Sequence, residues 1–347
     1  MFTAESDAEG AERGPSSRQK VYGDLLALIA VADGQSVVAS LLMTASLWGI
    51  DLPAWTGELR HIAGTLCVLG GGYWLVTLIV ARSRGHLRAS GTVLQLLTAC
   101  VLTAVAIADI LEYLGASAGW MLPHLAVTVW LSAELLSSRG VLASLRLPLP
   151  RGILRVRGAV CMGCQCIVTA ALLVLNGFLM AIFQIYIPGP RETDQKSALG
   201  LDDPAVALAH YAWTAVNEEV VLCAALILLL RAAGRPTWEW VLIPLLPRVT
   251  THLYLGASGL AVVVLGLGAV WLLTRRTTLI SLYALIPLAA GHFLYDWKAD
   301  SALNILAPTT PAYAQVTLAG LIAAAAALGA QALYRPERHP TRLPARR

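Results

Sequence analysis

Three short stretches in the C-terminal half hold the residue types that move protons or bind metals. They are Asn217-Glu218-Glu219, Arg248-Val-Thr-Thr-His252 with Tyr254 just beyond, and His292-Phe-Leu-Tyr-Asp296. His292 and Asp296 are spaced i, i+4, so on a helix they share a face and the carboxylate can orient the imidazole. Arg248 and His252 have the same spacing, which puts the arginine one turn away on the same face. Glu218 and Glu219 are adjacent and diverge by roughly 100° around a helix, so one is expected to work and the other to support it.

The elements that must position these groups are membrane helices. Of 347 residues, 57% are hydrophobic and 13% charged, and the mean hydropathy is +0.67. That composition lies far from that of a soluble domain of this length. Apolar runs at 24–49, 61–81, 92–113, 119–138, 159–187, 205–230, 238–255, 258–274, 278–297 and 312–334 predict ten spanning helices. The fold class is therefore all-α, a polytopic transmembrane helical bundle. The eighth run is short and the first is interrupted by Asp33-Gly34-Gln35, which marks both as re-entrant or tilted candidates. With the N-terminus cytoplasmic, the inside connections hold twenty basic residues; the outside ones hold Arg60, Arg191, Lys196 and Lys298. That bias supports cytoplasmic N- and C-termini. The net charge of +4 is then a trace of topology, and no nucleic-acid partner follows from it.

Residues 1–20 read as a disordered cytoplasmic tail without the apolar core of a signal peptide. The basic connection Arg139 to Arg157 divides a four-helix membrane region (21–157) of unassigned role from a C-terminal membrane domain (158–334), and 335–347 form a basic tail. Arg outnumbers Lys 22 to 3, and Ala and Leu dominate, which points to a GC-rich bacterial genome and a multi-pass protein of the plasma membrane.

Ionisable side chains inside spans cost about 2.5–3.5 kcal/mol each on insertion scales, so they are functional candidates by default. Counted from the cytoplasmic ends of their helices, Glu218, His252 and His292 all lie roughly 20 Å deep at 1.5 Å per residue. A shared depth favours one buried site.

The glutamate pair, Arg-x3-His252 followed by Leu-Tyr-Leu-Gly, and His292-x3-Asp296 on successive helical segments resemble the signature of the CPBP family over 205–297. That family comprises the CAAX-type prenyl-protein endopeptidases and the bacteriocin-processing or abortive-infection membrane proteins. The resemblance implies a metal-independent intramembrane glutamic peptidase acting on peptide or membrane-protein substrates, with no cofactor. Glu218 would activate water and His252 would share a hydrogen bond to it. Glu219 would hold geometry or proton balance, and His292 would stabilise the oxyanion, oriented by Asp296. Arg248, Asn217 and Tyr254 would bind substrate or support the site. The motif often reads Glu-Glu-x3-Arg, and Cys223 stands at the arginine position.

Other readings remain. The glutamates can be a structural pair satisfied by Asn217, His210 or Arg248; the histidines can be interhelical hydrogen-bonding groups; and Asp296 can be a solvated helix end. At the level of function, the alternatives are a proton-coupled transporter, a catalytically silent scaffold or immunity protein, and a zinc enzyme using Glu218, His252, His292 and Asp296. The last lacks a His-Glu-x2-His helix. In the N-terminal region, Asp109, Glu112, His124 and Glu134, with Gln95, Gln165, Asn176 and Gln184 elsewhere, are polar within spans; Asp109 and Glu134 are expected to tie the two halves together or to line a groove or ion path. The six cysteines, Cys161-x2-Cys164-x-Cys166 included, read as small buried hydrophobes rather than as metal or lipidation sites.

Overall fold

The computed structural model describes residues 15–84, 90–112, 119–141, 153–186, 201–274, 282–302 and 310–333. All ten expected segments are helical, and no strand occurs among the described residues. In chain order they are α1 (Pro15–Leu47), α2 (Thr56–Ser83), α3 (Ser90–Glu112), α4 (Met121–Ser138), α5 (Ile153–Tyr186), α6 (Pro204–Ala232), α7 (Thr237–Thr251), α8 (Ala261–Thr274), α9 (Leu282–Ala302) and α10 (Thr310–Leu333). The predicted tails and most of the Arg139–Arg157 connection lie outside the described residues.

Among the described residues, six helical segments are long and apolar enough to cross a membrane: Lys20–Leu47, Thr56–Ser83, Ser90–Leu111, Ala159–Gln184, Pro204–Ala232 and Leu253–Thr274. Outward-facing residues are large and apolar, as for Leu26, Leu66, Leu94, Leu111 and Leu246, each more than 60% exposed. A soluble protein rarely shows so much contiguous apolar surface, and hydrocarbon covers it without cost.

The bundle is built around α6. In its most apolar stretch 83% of residues are buried, against 17% for α3. Asp203 caps its start, its Oδ1 accepting from the amides of Ala205 (2.7 Å) and Val206 (3.0 Å), and Pro204 fills the first position. Around it stand α1, α4, α7, α8 and α9, while α5 and α10 pack along each other. α1 lies against α7 and the turn that follows it as well as against α2, so the N-terminal region and the motif-bearing helices share one core.

Two backbone departures shape the middle of this core. Residues Asn217–Ala225 of α6 form a π-helical segment, a rare form concentrated at functional sites. α7, expected to run to 255, ends at Thr251 instead and passes into a 3-10 turn, Leu253–Leu260. Pro244 and Pro247 weaken its hydrogen-bond ladder, and Gly256 (φ 61°, ψ −137°) takes a conformation that a Cβ would strain. The carbonyls freed at the break find side chains: Ser40 Oγ of α1 donates to Thr250 O at 2.9 Å. Such an interruption is tolerated within hydrocarbon only where protein or a polar cavity covers it.

Candidate active site

The π segment carries Asn217, Glu218 and Glu219, and Arg248 of α7 gathers both carboxylates. Its Nη2 donates to Glu219 Oε1 at 2.5 Å, and its Nε lies 3.0 Å from Glu218 Oε2. The second contact has the distance of an ion pair but not the alignment of a hydrogen bond, so Glu218 Oε2 still has acceptor capacity. The adjacent glutamates point apart, as expected, yet a planar fork with donors on separate nitrogens spans them.

Behind the pair, His292 Nδ1 donates to Glu219 Oε1 at 2.9 Å and its Nε2 lies 3.5 Å from Asp296 Oδ2. The i, i+4 relation of His292 and Asp296 thus puts them on one face. Glu219 is fully buried, His292 and Arg248 nearly so, and Asp296 is partly exposed.

In front of the pair lies a cavity of about 80 Å³ lined by Glu218, Asn217, His252 and Tyr254. Asp33 and Gln35 of α1, Arg60 of α2, and Thr214 and His210 of α6 also line it. Six of these residues have a buried side-chain polar atom without a hydrogen bond: Asp33 Oδ2, Gln35 Oε1, Arg60 Nε, Thr214 Oγ1, Asn217 Oδ1 and Glu218 Oε2. So many unsatisfied polar atoms around a space larger than one water define a wet cavity.

His252 occupies the end of α7, with Nδ1 2.7 Å from the carbonyl of Arg248 and 3.2 Å from Thr251 Oγ1. A carbonyl only accepts, so Nδ1 carries a proton; in the neutral ring Nε2 would be an acceptor for a donor in the cavity. Tyr254 stacks on this ring at 6.2 Å and 21°. Asn217 Nδ2 donates to Ala32 O of α1 at 3.1 Å.

The predicted residues therefore divide into two groups on either side of the glutamates. Glu218, Asn217, His252 and Tyr254 face the cavity; Glu219, Arg248, His292 and Asp296 form an ionic layer behind it. His292 and Asp296 do not line the cavity, so the oxyanion role assigned to His292 has no access from its wall. One atom each of Glu218, Glu219 and His292 lie within 4.8 Å of one another, the spacing of a cation site. Arg248 already supplies the positive charge there, and an ion would have to strand a buried guanidinium.

Sequence reasoning gave Asp33, Arg60 and His210 no catalytic part; the available signal was a charge or imidazole within or beside an apolar run. In the N-terminal region, Glu134 pairs with Arg82 (3.0 Å) and accepts from Trp130 Nε1 (3.2 Å), so it joins α4 to α2 rather than the two halves. His124 makes that link: its Nε2 donates to Val31 O of α1 (3.0 Å) and its Nδ1 accepts from Trp213 Nε1 of α6 (3.3 Å). Asp109 lies against Gly119, where a Cβ would come within 2.5 Å of Oδ2; the side chain of Glu112 lies outside the described residues. Of the cysteine cluster, Cys164 is buried, Cys161 half-buried and Cys166 exposed.

No family model, curated protein or solved structure matches this chain. Its class therefore rests on the residues themselves: an all-helical protein with several helices fit to cross a membrane and a buried acidic site at their centre.

Proposed function

We propose that this chain is an intramembrane endopeptidase that hydrolyses peptide bonds of membrane-associated or peptide substrates with water activated by Glu218, as in the CPBP-type glutamic peptidases its motifs resemble. It would do so as a ten-span bundle in a bacterial plasma membrane with both termini cytoplasmic. The observation that carries the reading is a carboxylate with free acceptor capacity on a wet cavity, midway along the most buried helix.

In this mechanism a cavity water donates one hydrogen bond to Glu218 and another to Nε2 of His252. Glu218 takes its proton as the oxygen adds to the scissile carbonyl. The tyrosine hydroxyl of Tyr254, on the same wall, donates to the developing oxyanion. Arg248 and His292 hold Glu219 fixed, and Arg248 keeps Glu218 in register. Arg248 thereby supplies the guanidinium that the motif would carry at Cys223, from the neighbouring helix rather than from one turn along α6.

The test is proteolysis of a library of peptides and single-span substrates by purified protein in lipid, for wild type and Glu218→Gln, with and without a strong chelator. The reading expects cleavage that Glu218→Gln abolishes and the chelator leaves alone. Cleavage that survives the substitution removes Glu218 as base, and chelator sensitivity replaces this mechanism with a metal-dependent one.

A second reading, a catalytically silent scaffold, draws on the contact of Arg248 with both carboxylates, which would serve equally to lock helices together. It expects no cleavage from folded wild type.

A further inference from the structure

We infer that Asp33 of α1 is the second catalytic carboxyl group of this site, donating the proton that releases the amine while Glu218 serves as base. The inference rests on the peptidase reading and extends it to a helix outside the three motifs.

Asp33 is 4% exposed, lines the same cavity as Glu218, and leaves Oδ2 without a hydrogen-bond partner. No ion pair is formed by it among the described residues. An orphaned buried acceptor costs about 1–3 kcal/mol. Water in the cavity satisfies it at no such cost.

The backbone beneath Asp33 is held from three sides. Ala30 O accepts from Cys67 Sγ of α2 (3.2 Å), Val31 O from His124 Nε2 of α4 (3.0 Å), and Ala32 O from Asn217 Nδ2 of α6 (3.1 Å). Three consecutive carbonyls of one helix, each bound by a different neighbour, fix where the next side chain points. The donor to the last of them, Asn217, is itself the residue before Glu218, so the two carboxyl groups are positioned by a common contact.

The chemistry has a place for this second group: an acid distinct from the base can protonate the nitrogen without Glu218 having to carry its proton across the site. After Glu218 takes a proton from water and the C–O bond forms, the nitrogen departs only if it is protonated. The Nδ1–H of His252 is committed to Arg248 O. Asp33 delivers its proton to the nitrogen as the C–N bond breaks and the carbonyl reforms. The products are a carboxylic acid and an amine, the atoms of amide plus water. Glu218 then holds one proton and Asp33 lacks one, and transfer through cavity water restores both.

The test compares wild type, Asp33→Asn, Asp33→Glu and Glu218→Gln on a cleaved peptide and on a nitrophenyl ester with the same acyl portion. A nitrophenolate leaves without being protonated, so only the amide needs the acid. Asp33→Asn is expected to slow amide cleavage about 10²–10⁴-fold, the usual contribution of a general acid, while ester cleavage falls less than about tenfold. Asp33→Glu, which restores a proton donor, should recover part of the amide rate. Equal losses on both substrates assign Asp33 a structural role and overturn the inference, as does an unchanged amide rate in Asp33→Asn beside an inactive Glu218→Gln, which leaves the peptidase reading intact. If folded wild type cleaves neither substrate, both proposals fall.

A hydrophobic carbodiimide, which modifies protonated carboxyl groups, gives a readout independent of turnover. An adduct at Asp33 in wild type is expected, and its absence while other carboxyl groups react overturns the inference.

Discussion

Arg248→Met would strand two acids at once. Arg248 touches Glu219 at 2.5 Å and Glu218 at 3.0 Å, and all three side chains are at most 7% exposed. At an effective dielectric of about 20, each contact carries a gross attraction of roughly 6 kcal/mol, most of it offset by the desolvation of the ions in the folded protein. The substitution, however, removes the attraction and keeps the desolvated carboxylates. Breaking a buried pair in this way costs about 3–5 kcal/mol, and two stranded partners favour the upper end. At about 2–4 °C per kcal/mol, the apparent Tm in detergent should fall by roughly 10–20 °C, read by tryptophan fluorescence at a fixed scan rate.

The paired experiment removes one stranded charge. If Glu219→Gln is added to Arg248→Met, the loss should shrink, giving a coupling energy of at least about 1 kcal/mol in a double-mutant cycle. Additivity within about 0.5 kcal/mol, or an Arg248→Met protein as stable as wild type, would refute the view that this arginine holds the two acids in place.

Glu218→Gln keeps Glu219 paired with Arg248, so it should abolish cleavage, by at least about 10²-fold, with a smaller Tm change than Arg248→Met. Gly259→Ala would put a Cβ 2.5 Å from the carbonyl oxygen of His252; the turn must shift, and activity should drop along with about 1–3 kcal/mol of stability, measured by peptide turnover and thermal unfolding. Gly72→Leu should destabilise the α2–α3 contact, because even a Cβ there collides with Thr103; thermal unfolding checks it. In intact cells lacking the native cysteines, an impermeant maleimide should label Trp55→Cys and spare Trp238→Cys, both positions being highly exposed; the opposite pattern would invert the proposed topology.

The helices were legible because each is a long apolar run, and a backbone in hydrocarbon has almost no alternative to a helix. The i, i+4 pair His292 and Asp296 was legible for the same reason: both members ride on one regular element. What could not be read locally was the end of α7 at Thr251, where two prolines and Gly256 act together, and the π register around Glu218. Asp33 illustrates the deeper limit. Along the chain it reads as a flaw in the first apolar run, and its meaning depends on Asn217, whose donor binds the carbonyl of Ala32, 185 residues back along the chain. Arg60 likewise reads as one of four outside charges, and only the packing of α2 along α1 brings it to the cavity wall.

The division of the acids into two layers also bears on why a doublet of glutamates is present at all. Glu219 accepts from both Arg248 and His292 through one oxygen and has no exposure, so it cannot meet a substrate. Its neighbour meets the cavity but receives only a poorly aligned contact from the same guanidinium. Were Glu218 bound as tightly as Glu219, one of its oxygens would be committed to the arginine. Were Glu219 absent, Arg248 would turn its full fork on Glu218. The second glutamate thus occupies the strong donor, and under the proposed mechanism this leaves the first free to accept from water, so the halves of the pair are not interchangeable.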